Sequence, residues 1–257
     1  MRIPALLLSF LLLLTFAFSL PVFAKAEVDS NDSGIPEIDG DYPDPVNHNV
    51  RVRVFVHKAK AKQAAAAIAC ADPDSTSTTG SAGWKLPSGN WTYNLNPSSV
   101  PLSVGAVNLP TIANNGFSQW QSAESTVLLV RGTDTTKTRS SYDRQNIIAW
   151  GRANGSALGV TYVRYYTSSG LVVDVDTIMN KKFAWNWNGG DSTTCGNPNT
   201  YDAQNILTHE QGHWLGLDDE YDGGFMDNTM FGYGSKGETK KNTLTTGDRA
   251  GIAAIYP

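Results

Sequence analysis

The chain should fold as an α/β (α+β) protein built on a mixed, twisted sheet, and three features of its 257 residues say so. Short apolar, β-branched runs bounded by turn residues recur at 91–95, 126–131, 146–150, 158–166 and 171–179. Helical spacing of apolar residues marks 107–124 and 203–215, and 245–256 reads as a capped C-terminal helix. A strand–helix–strand run, further strands and then helices cannot be an all-β or all-α plan.

Taken in order, residues 1–24 hold a basic start at Arg2, a Leu/Phe/Ala run and a small-residue end at Ala24, the pattern of a secretory signal peptide. The mature chain is therefore expected outside the cell, with no stable membrane insertion after signal cleavage. Residues 25–82 read as a leader. Its 27–49 stretch is acidic and rich in Pro, Gly and Asn, without periodicity. Then VRVRVFV at 50–56 alternates as a half-buried strand does, KAKAKQAAAAIA at 58–69 favours helix, and 72–83 is a Ser/Thr/Gly linker. The strand and helix of this leader are either a removable pro-segment or an accessory part of the mature protein. From 83 to 257 the texture is that of one domain. Pro110 must occupy the first turn of the 107–124 helix or break it, and Asp202 is placed to cap the helix that follows it.

A formal net charge of −4 argues against nucleic acid as a partner, and seven Trp with ten Tyr argue for a packed interior. The working unit expected is a monomer.

The chemistry concentrates in THEQGHWLGLDD, residues 208–219. His209 and His213, four apart on a helix, leave the same face one turn apart and can share a zinc ion, with Glu210 beside them to handle the proton of a metal-bound water. Gly216 suits a left-handed helix end, and Asp219 stands three residues beyond it, where a returning chain can supply a third ligand. Asp218 and Glu220 are its neighbouring substitutes. No His follows His213. Two imidazoles and one carboxylate leave a fourth position for water, as a catalytic zinc site requires.

HExxHxxGxxD followed by NTMFGY at 228–233 resembles the metzincin metallopeptidases, and within them the matrixin-like bacterial and archaeal enzymes. WTYNLNPSSVP, NIIAWG, LGVTYV, VDVDTIMN and GDRAGIAAIYP extend the resemblance over 84–257. It departs at the third ligand, which is Asp219 where matrixins usually carry His, as in the snapalysin-like branch. The resemblance implies a secreted zinc endopeptidase with His209, His213 and Asp219 as ligands, Glu210 as catalytic base, and Met230 (or, less fittingly, Met226) as the Met-turn beneath the metal. It also implies an extended peptide or protein substrate paired to an edge strand near 157–160, with 232–241 walling a side-chain pocket. Tyr233 falls one residue late for a metal-touching role.

Two Cys in an exported chain invite a Cys70–Cys195 disulfide, while Cys70 as a latency thiolate over the zinc is the alternative. Asp174 and Asp176 could hold a structural Ca²⁺, although facing solvent is the expectation. His48 and His57 read as surface residues. The competing function is a catalytically inactive metzincin-fold binding protein, which an intact Glu210 speaks against.

Overall fold

The structure, a computed structural model, describes residues 34–60, 71–123 and 126–257. The signal-peptide reading of 1–24 and most of the helix expected at 58–69 lie outside the described residues, as does Cys70. Residues 31–257 cluster as one compact unit.

The mixed α/β plan is what the chain adopts. Ten strands are described: β1 (Gly40–Pro43), β2 (Val50–Ala59), β3 (Gly89–Leu95), β4 (Val127–Arg131), β5 (Ile147–Gly151), β6 (Ala157–Tyr166), β7 (Val172–Asn180), β8 (Trp185–Asn186), β9 (Tyr201–Asp202) and β10 (Tyr233–Gly234). Three helices accompany them: α1 (Leu109–Gln121), α2 (Ala203–Trp214) and α3 (Thr246–Ile255). The main sheet runs β1-β2-β6-β7-β5-β3-β4, and β10 pairs with the far end of β2. The pairs β3–β4, β3–β5 and β5–β7 are parallel, whereas β6 is antiparallel to both β7 and β2.

Residues 50–59 are the largest departure from the sequence reading. The strand runs on past a bulge at His57/Lys58 to Ala59 because Lys58 and Ala59 pair with β10, so they belong to it and not to a helix. Val50, Val52, Val54 and Phe55 are fully buried, and each such side chain contributes ~1.5–3 kcal/mol of transfer free energy. No break in packing coincides with the 82/83 boundary, since β2 is paired to β6 from Val50 to Lys58. Nor is all of 27–49 without structure: β1 pairs antiparallel with β2, and Ile35 is buried in the same cluster as Val52, Val54 and Val56. The linker at 72–83 is strapped down in places, with Asp74 accepting from the Thr246 hydroxyl at 2.7 Å and Thr79 donating to Asp248 at 2.8 Å.

Helix α1 begins at Leu109 with Pro110 in its first turn, where the missing N–H costs nothing. Its Ile112, Ala113, Phe117 and Trp120 are buried in the core cluster shared with α2, and Trp120 Nε1 donates to Thr208 O at 2.8 Å. Helix α2 has the Asp202 cap expected of it, the carboxylate accepting from Asn205 N at 2.9 Å. Every residue of α2 is buried. It is a core helix that carries polar side chains, and each of those needs a reason to be there.

Two carboxylates expected at the surface are also inside. Asp174 and Asp176 are buried on β7, both facing the buried guanidinium of Arg164 at 2.7 and 3.4 Å. Arg164 thus stands as their cationic partner. Burial first, then Asp176, pushes the Asp174 carboxyl up to about 8.

Candidate metal centre

Helix α2 ends at Trp214 with Leu215 as its C-cap, and Gly216 turns the chain with φ +98°, a conformation that L side chains rarely adopt. A Cβ there would also lie 2.3 Å from Trp84 O. This turn brings 217–219 back beneath the helix, with His213 Nδ1 donating to Leu217 O at 3.0 Å. Of the three acidic neighbours, Asp219 is the one whose carboxylate reaches the imidazoles. Asp218 instead faces Arg53 at 3.4 Å, and Glu220 accepts from Gly80 N at 2.7 Å.

Asp219 Oδ1 lies 3.1 Å from His209 Nε2 and 3.6 Å from His213 Nε2. The other ring nitrogens are engaged: His209 Nδ1 donates to Thr229 O at 2.8 Å, as His213 Nδ1 does to Leu217 O. A carbonyl can only accept, so Nδ1 carries the proton in both rings and each Nε2 presents a lone pair. Burial pushes His213 down to about 3 and His209 well below the usual imidazole range, so both rings are neutral at physiological pH. Two lone pairs therefore face a carboxylate oxygen with no ring proton between them. His209 Nε2, His213 Nε2 and Asp219 Oδ1 are all buried without a hydrogen-bond partner.

Burial also pushes the Asp219 carboxyl upward, so the arrangement is repulsive unless a proton or a metal cation sits among the three atoms. Their separations bracket the ~3.3 Å that tetrahedral bonds of ~2.0–2.1 Å require. Among the described residues, the two groups able to bring three metal-capable side chains together both contain His209; this is one, and His57 with His209 and Glu210 is the other. The residues present fit a zinc ion.

Glu210, also fully buried, is aimed by a chain of hydroxyls. Trp214 Nε1 donates to Thr177 Oγ1 at 2.9 Å, the two Thr hydroxyls are 2.7 Å apart, and Thr161 Oγ1 donates to Glu210 Oε2 at 2.6 Å. The Trp N–H can only donate, which sends the remaining hydroxyl protons towards the carboxylate. Oε1 is left without a partner. Strand β6 passes so close that a Cβ at Gly159 would lie 2.7 Å from that oxygen. Burial pushes Glu210 up to about 8, with the Thr161 hydrogen bond working in the opposite sense.

Met230 is fully buried under α2, so close that a Cβ on Gly212 would overlap its sulfur. Met226 is half exposed and touches none of this. No free cysteine occurs among the described residues, and Cys195 is disulfide-bonded; its expected partner, Cys70, is outside them.

Two expectations fail. His48 is exposed, but His57 is fully buried, its ring 3.9 Å edge-on to that of His209 and its Nδ1 3.5 Å from Glu210 Oε1. And β6, read as an open edge at 157–160, is covered by β2. Sequence reasoning also passed over Lys241, Thr161, Thr177 and Asp248. For His57 a signal existed, since the period-2 alternation puts it on the same side of the strand as Phe55. No family model and no curated protein matches the chain, so the site itself carries the functional reading.

Proposed function

We propose that this chain is a zinc-dependent endopeptidase, exported from the cell, whose centre is His209, His213 and Asp219 with Glu210 as the proton-handling group. One observation carries the reading: two imidazole lone pairs and a carboxylate oxygen, all buried and unpartnered, converge on one point. The metzincin resemblance of the sequence supports it, as does the absence of any membrane-crossing helix among the described residues.

When bound, zinc supplies a Lewis acid and acidifies a coordinated water. The protein's own part is positioning. Thr229 O and Leu217 O hold each imidazole with Nε2 forward, which raises the ring's basicity as a ligand. Thr161 fixes Oε2 of Glu210 and leaves Oε1 to take a proton from the attacking water and return it to the leaving amine. Burial favours the protonated carboxyl, which makes Glu210 a stronger proton acceptor than an exposed carboxylate.

Casein cleavage by purified protein, with and without chelator, tests this together with metal analysis. One equivalent of zinc and chelator-sensitive cleavage are expected, with Glu210→Ala keeping the metal while losing ~10²–10⁴-fold in rate. A metal-free protein, or an unaffected Glu210→Ala variant, overturns the reading.

A further inference from the structure

We infer that β2 is the chain's own occupant of its peptide-binding cleft, with His57 filling the slot that receives a substrate side chain. The inference rests on the endopeptidase reading above and deepens it.

The path of the strand is the first ground. β2 lies antiparallel to β6 from Val50 opposite Tyr166 to Lys58 opposite Ala157, and parallel to β10 at Lys58 and Ala59. Main-chain pairing on both sides is how an extended peptide is held when it adds to a sheet. Strand β6 is also the element against which Glu210 rests, through Thr161 and Gly159. A peptide whose backbone is to meet Glu210 must therefore lie where β2 lies.

The side chains that β2 turns towards α2 are the second ground. Phe55 stacks on the His213 ring at 3.7 Å and 5°. Two residues on, His57 abuts His209 and faces Glu210. Consecutive inward side chains of one strand thus cover both metal-binding imidazoles and the carboxylate. Glu210, His209 and His213 have no exposed surface, so no substrate reaches them while β2 is in place.

The slot around His57 is the third. Ile206 Cδ1, Leu158 Cδ1 and His57 Nε2 gather around Gly234, and the slot ends at Lys241, whose Nζ is 3.4 Å from His57 Nε2. Lys241 is fully buried. Its ammonium donates to Phe231 O and to Tyr233 O, and Glu238 Oε1 stands 3.9 Å away, beyond hydrogen-bond reach, so one proton remains for what enters the slot. An apolar slot closed by a cation selects a side chain with an acceptor at its tip, such as His, a carboxylate or an amide. The ligand class is an extended peptide carrying such a side chain at the position His57 now holds.

Hydrogen exchange on the full-length wild-type chain is the primary test, because no variant needs to fold. The amides joining β2 to β6 should exchange through a partial opening at least about tenfold faster than those joining β5 to β7. Exchange of both sets only through global unfolding overturns the inference. Full-length His57→Ala provides the second measurement, with a fluorescein-labelled peptide of residues 50–59 as probe. The variant should take up this peptide where the wild type does not. A probe carrying Ala in place of its His should bind about tenfold more weakly, the effect of one lost charge-assisted hydrogen bond; equal binding of the two probes removes the slot from the inference. None of these readouts needs metal or turnover. Partial opening in a protein that takes up no zinc would defeat the proposed function alone; zinc uptake and casein cleavage by a chain whose β2 opens only globally would defeat this inference alone.

Discussion

Replacing Asp219 by Asn should move the stability of the metal-free and the metal-loaded protein in opposite directions. In the wild type, Oδ1 faces two acceptor nitrogens at 3.1 and 3.6 Å, while Oδ2 accepts from Tyr221 at 3.1 Å. An Asn side chain keeps an oxygen for Tyr221 and turns an NH₂ towards His209 Nε2, supplying the missing donor. Satisfying a buried acceptor that had no partner is worth ~1–3 kcal/mol, so melting in chelator should rise by a few degrees. Zinc works the other way. At a concentration a hundred times its Kd it adds ~2.7 kcal/mol to the wild type, and at one Kd only ~0.4 kcal/mol, the case for a variant binding a hundredfold more weakly. Thermal melts in chelator and in zinc read both terms from the same two samples. If Asn lowers the chelator melt by several degrees, the carboxylate is a structural acceptor and the lone-pair argument fails. If the zinc increment is equal in both proteins, Asp219 is no ligand.

Gly216→Ala should cost ~2–4 kcal/mol, from the left-handed backbone and from a Cβ forced against Trp84 O, and should weaken zinc binding because the same turn delivers Asp219; a urea titration and a competitive zinc assay measure the two, and loss of neither refutes the geometry. Arg164→Met should destabilise by ~3–5 kcal/mol, since it strands two buried carboxylates, and an unchanged urea midpoint would refute that. The same pair gives a pH dependence. Burial pushes the Asp174 carboxyl up to about 8 in the folded protein, against about 3.9 unfolded, so the folded state holds the proton more tightly. Its stabilisation is complete below about pH 4 and declines as pH rises through about 8. Urea midpoints in chelator should therefore fall across that window, and Asp174→Asn should flatten the slope; a midpoint rising with pH would contradict the assignment.

The elements from Trp84 onward were legible because their periods are unambiguous and their ends carry local chemistry: Asp202 caps α2, and Thr245 with Asp248 forms the capping box of α3. Helix α2 and the shared face of His209 and His213 were legible for the same local reason, since i,i+4 spacing fixes a face without reference to the rest of the chain. What escaped is non-local. Period-2 alternation says that 50–56 is a strand but not which strand it joins, and pairing with β6 lies about a hundred residues away in sequence. His57 on a strand beside two Lys reads as solvated until β10 and Lys241 close over it. Asp174 and Asp176 alternate with apolar residues as surface carboxylates do; only the position of Arg164 on the neighbouring strand makes their burial tolerable.

Asp248 shows why the last helix is part of the centre and not a mere end to the chain. Its carboxylate accepts from its own cap, Thr245, but also from Thr229 N at 2.8 Å and from Thr79 Oγ1 at 2.8 Å. Thr229 is the residue whose carbonyl holds His209 Nδ1, and Met230 follows it under α2. One buried carboxylate therefore ties the start of α3, the incoming segment at Thr79 and the turn that sets an imidazole's tautomer. Losing it would take the acceptor from the Thr79 and Thr245 hydroxyls and from the Thr229, Met230 and Thr245 N–H groups, each a buried polar group costing ~1–3 kcal/mol. The local rule that places an acid at the third position of a helix thus also orients the His209 ring nearly forty residues earlier, and the candidate centre is only as rigid as that cap.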